Sequence, residues 1–201
     1  TAMGCAGTGG FAVYNDSIAH YHSSLITNLV SIAVLLFGIN FNLYYFLLLR
    51  KFKAFFKDEE LRTYISIIIV ATALIWLNVS GLYASAGKGL EIAFFEVSNV
   101  ITTTGFGITD LTVWPLFSQV ILLILMFIGG SAGSTAGGFK VMRALILTKI
   151  SKNQVLSSLY PNRVMTIHVN QQPLDKETQH SVLKYLSLYV TCLLVLTLFL
   201  S

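Results

Sequence analysis

Threonine hydroxyls and the carbonyls beside glycine are the groups through which this chain could do chemistry. Residues 101–107 read ITTTGFG, and residues 7–11 read GTGGF. Backbone and hydroxyl oxygens without a cluster of carboxylates suit a weakly held monovalent cation that must leave again. Glycine permits the φ values that turn successive carbonyls toward one axis. Gly7, Thr8, Gly9, Gly10 and Phe11 align with Thr102, Thr103, Thr104, Gly105 and Phe106, and an acid follows each set, Asp16 and Asp110. Those acids either concentrate cations at a mouth or cap the returning strand.

Such strands need elements to hold them, and composition says what kind. The chain has 201 residues, 55% hydrophobic and 11% charged, with net charge +4 and mean hydropathy +0.73. Soluble domains carry about 25% charged residues, so this is a membrane protein. The spacing predicts a continuous span over 25–49, a second over 63–82 and a last one over 182–200, each near the roughly 20 residues that cross a bilayer core. Residues 90–101 are too short to cross. They predict a half-length helix that enters and stops at the threonine-glycine strand, its C-terminal partial negative charge aimed at the same point.

Residues 113–130 begin a further span that breaks at GGSAGSTAGGFK, and 139–150 read as its second half. Five glycines among small polar residues hold a helix poorly, at about 1 kcal/mol per Gly relative to Ala, so this stretch is cheap to rearrange. Residues 151–181 are polar, with Pro161 and Pro173 breaking any long helix. Basic residues cluster at 50–62 and 140–163. Placing both clusters on the cytoplasmic side makes 90–112 a re-entrant loop on the external side. Non-helical backbone at that depth must face protein or a pore. Glu96, on the half-helix, either braces the loop or shapes the field at the pore.

Other chemistries fit less well. The charge distribution is juxtamembrane rather than a nucleic-acid face, and two cysteines make no disulfide framework. Gly133 to Gly138 is followed by Phe139 before Lys140, with Val141 where a phosphate loop needs Ser or Thr. His20, His22, His168 and His180 have no metal-ligand spacing. A membrane enzyme using Glu96 with a histidine lacks a nucleophile-base pair, and a non-conducting scaffold would use the glycines for close packing instead.

Four stretches together, TGGF at 8–11, ITTTGF at 101–106, WPLFSQ at 114–119 and GGSAGSTAGGFKVMR at 129–143, closely resemble the Trk and Ktr superfamily of potassium transporters, nearest its TrkH-type membrane subunit. The resemblance implies an all-α membrane protein of repeated span, re-entrant pore loop and span units around one ion pore, with one span broken by a glycine-rich intramembrane loop. On that map residues 1–62 end the second repeat, 63–152 form the third, and 153–201 hold a cytoplasmic linker and the first span of the fourth, so the chain reads as a piece of a longer protein. Potassium ligands would come from Thr8, Gly9, Gly10, Thr103, Thr104 and Gly105, with Phe11 and Phe106 completing each filter. The gate would be the loop carrying Gly129, Gly130, Gly133, Ser134, Thr135, Gly137 and Gly138. The resemblance further implies potassium as the transported ion, no organic cofactor, a multi-pass bacterial inner-membrane location, a homodimer, a cytoplasmic ring of nucleotide-binding regulatory subunits, and no nucleic acid.

Overall fold

The computed structural model describes residues 1–160 and 166–200, in two compact units, Thr1–Val141 and Met142–Ser201. Pro161 and Arg163 lie outside the described residues. The first unit holds α1 (Ala2–Ala6), α2 (Ser24–Phe37), α3 (Phe41–Leu48), α4 (Phe52–Lys57), α5 (Glu59–Val79), α6 (Ala86–Ile101) and α7 (Leu116–Ile128). The helix α8 (Val141–Leu159) follows, and the second unit continues with the strands β1 (His168–Val169) and β2 (Gln172–Pro173) and the helix α9 (Lys176–Leu200).

In the first unit α6 is the central element, packed against α2, α5 and α7. Leu61, Tyr64, Ile68, Ala71, Ile75 and Val79 recur on α5 at helical spacing and form one buried face. They join Ala93, Val97 and Ile101 of α6 and Leu122 and Leu125 of α7 in one core. The opposite face of α5 exposes Ile65, Ile69, Leu74 and Leu77. An apolar outer surface on a helix of this length suits a lipid environment. Helical runs Glu59–Leu82 and Lys176–Leu200 are long and apolar enough to cross a membrane.

The expected continuous span over 25–49 is instead broken. The axes of α2 and α3 differ by 92°. At the break, a side chain on Gly38 would run into Tyr64 Oη and Thr102 Cγ2, so two other elements occupy the space a helix side chain needs. The Gly38 carbonyl accepts the Ser131 amide at 3.0 Å. Asn40 then caps α3, its side chain accepting from Asn42 N at 2.9 Å.

The half-helix is longer than expected, because Ser85 caps it through Lys88 N and the sequence 86–89 joins its first turn. In the second unit, β1 and β2 pair antiparallel around Asn170 and Gln171, both at positive φ, the geometry of a two-residue hairpin. Pro173 ends that hairpin rather than a helix. Arg143 lies 3.9 Å over the Tyr185 ring, and Lys149 donates to the His168 carbonyl at 2.7 Å.

Candidate functional site

Both threonine-glycine segments leave their helices through the same backbone turn. After α1, the Gly9 amide donates back to Gly4 O at 2.9 Å and Thr8 N to Cys5 O at 3.3 Å. After α6, Thr104 N reaches Asn99 O at 2.9 Å and Thr103 N reaches Val100 O at 3.0 Å. This is the paired 6→1 and 5→2 closure of a helix end, which places one residue in the left-handed region, usually glycine. Here that residue is threonine both times, Thr8 at φ 46° and Thr103 at φ 54°. A β-branched residue there is a steric outlier, costing about 1–3 kcal/mol, and such strain gathers at functional positions. Two residues on, Gly10 and Gly105 also share positive φ, 66° and 85°.

The two strands touch. A Cβ on Gly10 would fall on the Thr104 carbonyl and 3.1 Å from Gly105 C, so Gly10 is the residue that lets the strands meet. Thr102 is buried and donates to Ser98 O at 2.7 Å, with Thr104 Oγ1 2.7 Å from its hydroxyl, which stiffens the turn from within. Phe106 is buried with Cys5, Ile18, Val30, Val34 and Phe95, joining the two threonine-glycine segments, whereas Phe11 is 81% exposed. Glu96 is buried in α6, and its Oε1 has no hydrogen-bond partner among the described residues. Asp16 and Asp110 line one open cleft with Asn15, His20, Gly107 and Thr109. The Thr112 hydroxyl and amide both donate to Asp110 and hold its carboxyl below the usual carboxylate range, so it caps the next turn as an anion.

The glycine-rich segment 129–138 forms a loop with a closed neck. Phe139 N donates to Phe127 O at 3.0 Å, Lys140 N to Ile128 O at 2.7 Å and Val141 N to Gly130 O at 2.9 Å. A Cβ on Gly129 would meet Gly138 Cα at 2.7 Å, and one on Gly138 would meet Gly129 Cα at 2.6 Å, so the two chains cross backbone on backbone. The loop is therefore fastened rather than loosely held, and its outer bonds run to the α2–α3 break and to both threonine-glycine segments. Ser131 N reaches the Gly38 carbonyl in the α2–α3 break, and Phe41 N reaches Gly133 O at 3.1 Å. Ser134 folds back on Ser131 O at 2.6 Å, and Lys140 Nζ on Ala136 O. Thr8 Oγ1 lies 2.9 Å from Thr135 O, and Gly137 N donates to Thr103 Oγ1 at 2.7 Å.

One participant escapes sequence reasoning. Glu60, in the first turn of α5, is 1% exposed and its Oε1 accepts the Ala132 amide at 2.6 Å. Within KDEELR at 57–62 it reads as an ordinary helix-start acid. Its neighbour Glu59 lies in that same first turn, so the sequence alone does not single Glu60 out.

Spans flanking half-helices with extended returns define a membrane pore fold of the cation-transport class. A family model described as TrkH, cation transport protein, matches residues 1–201. The Trk system potassium uptake protein TrkH of Escherichia coli K12 is 34% identical over 192 residues, which is 93% of this chain and 39% of that protein. TrkG of the same strain is 32% identical over 186 residues, 90% of this chain and 38% of that protein. The crystal structure of the potassium transporter TrkH from Vibrio parahaemolyticus superposes with a TM-score of 0.92 at 30% identity, covering 98% of this chain and 43% of that one. The chain belongs to the TrkH cation transport protein family. It spans about two fifths of the length of these curated relatives. Membership in a transport family sets the membrane-enzyme reading aside.

Proposed function

We propose that this chain forms part of a potassium uptake protein, with carbonyls of Thr8, Gly9, Gly10, Thr103, Thr104 and Gly105 lining its filter and the 129–138 loop gating it. The observation that carries this is the identical backbone turn at two sites, with threonine held in the left-handed region and glycine two residues on. Strand pairs of this kind turn oxygens toward a shared axis, where they replace an ion's hydration shell. The α6 end adds its partial negative charge. The relatives' names, as potassium uptake proteins, support potassium as the ion carried. The working protein sits in a bacterial inner membrane as a multi-pass homodimer. Its cytoplasmic face meets a nucleotide-binding ring, with contact at 50–62, where α4 exposes Lys53 and Lys57, and at 140–163.

The test is rubidium uptake by the complete gene product in cells lacking other potassium uptake, comparing wild type with Gly105→Ser. A side chain at φ 85° distorts the strand, so potassium selectivity over sodium falls at equal membrane expression. Unchanged uptake and selectivity would leave 101–107 as packing and favour the scaffold alternative.

Glu60→Ala carries a second expectation. A hydrogen bond to a charged group contributes about 1.5–3 kcal/mol, so its loss frees the loop and raises resting rubidium leak by about 10-fold or more. Glu60→Gln keeps an acceptor for Ala132 and leaks less. Equal leak from the two variants would mean the Ala132 bond is not what holds the loop.

A further inference from the structure

We infer that the hydroxyls of Thr8 and Thr103 form a latch that holds the 129–138 loop closed against the two strands, an inference that rests on the gating role proposed for that loop. Helix ends of this type take glycine at the left-handed position because it is free of strain there. This chain places a β-branched residue in that position twice, at equivalent points of two repeats. What threonine supplies over glycine is a hydroxyl, and in both repeats it meets the same loop: Thr8 Oγ1 at Thr135 O, Thr103 Oγ1 at Gly137 N. The polarity is opposite in the two cases, since Thr8 donates and Thr103 accepts.

The latch is releasable because each hydroxyl keeps a second acceptor on its own strand. Thr8 Oγ1 lies 2.9 Å from Gly7 O, and Thr103 Oγ1 donates to Thr102 O at 2.7 Å. When the loop leaves, the Thr8 proton turns to Gly7 and the Thr103 proton stays where it is. Of the four groups, Thr135 O and Gly137 N alone must find water, and both belong to exposed residues of the loop. Loop and strand thus exchange contacts without stranding a buried polar group on the strand side.

Amide hydrogen exchange of the complete gene product in nanodiscs tests this, read on a peptide spanning 129–138 with the α5 core as internal reference. Thr103→Val and Thr8→Val keep side-chain shape and remove the hydroxyl. Each is expected to speed loop exchange by about 2- to 10-fold, as loss of one hydrogen bond implies, while Thr103→Ser and Thr8→Ser exchange as wild type. Exchange at the wild-type rate in both valine variants would overturn the latch. Should a valine variant fail to fold, Thr103→Gly serves, since it removes the hydroxyl and relieves the backbone: faster loop exchange supports the latch, wild-type exchange overturns it. Resting rubidium leak is measured on the same proteins. Faster exchange with a wild-type leak would keep the latch and sink the gate.

Discussion

Gly10→Ala is expected to lower rubidium uptake by upward of about 30-fold at equal membrane expression, more than Gly105→Ala does. Both positions sit at positive φ, where an L side chain costs about 1–2 kcal/mol. They differ in what surrounds them. A Cβ at Gly10 lands on the Thr104 carbonyl, an atom of the neighbouring strand, and overpacking of this sort adds about 1–3 kcal/mol. At Gly105 no atom of the described chain beyond its own residue and its two chain neighbours lies within 4 Å of the added carbon. The added methyl at Gly10 therefore forces apart the two strands proposed to line the filter, whereas at Gly105 it strains one. Equal losses in the two variants would mean that backbone strain alone governs, and that the strand-to-strand approach at Gly10 is incidental.

Gly129→Ala is the second large effect, and it falls on stability. The added carbon would overlap Gly137 O and approach Gly138 Cα at 2.7 Å, again at positive φ. Neither partner is a side chain that can swing away, so the neck of the loop opens and the three bonds made by Phe139, Lys140 and Val141 are weakened together. The cost is about 2–5 kcal/mol by the same two effects, read as a lowered melting temperature in detergent and faster exchange over 129–141. Gly138→Ala strikes the same crossing from the other side. The double variant should cost less than the two singles combined, because the second substitution enters a neck already opened. A Gly129→Ala protein that melts with wild type would show that the crossing relaxes cheaply.

What could be seen in the sequence follows from how far each signal travels along the chain. The half-helix, the repeat between 7–11 and 102–106, and the limits of the glycine-rich loop are local patterns, and the positive φ of Gly129 and Gly138 falls at its edges. The break at Gly38 is not local. Residues 25–49 have the apolar length of one span, and the reason they bend lies in Tyr64, Thr102 and Ser131, which reach the site from three other segments. A trace was present, since Asn40 two residues after a glycine is a cap signal, but in an apolar run it competes with length and loses. Ser85 is a similar cap that extends α6 beyond its apolar stretch. Glu60 differs again: its role depends on the loop folding back 72 residues along the chain, and adjacent acids at a helix start carry no mark of which one turns inward. Family resemblance supplied the functional expectation; geometry supplied the bonds that fasten the loop.

The two phenylalanines of the strands have a consequence for assembly. Phe106 inserts beside Gly4, whose added Cβ would lie 3.1 Å from the ring, so the later repeat plugs into the helix end of the earlier one. Phe11, at the matching position of the earlier strand, is 81% exposed in this chain. Donor and acceptor surfaces differ, which makes the contact heterologous, running head to tail rather than face to face. Contacts of that kind close a ring only when each step turns by the right angle, and otherwise climb into an open spiral. Here a size change at Phe106 is felt on both sides of the seam, at Gly4 of the earlier helix and at Phe95 of α6.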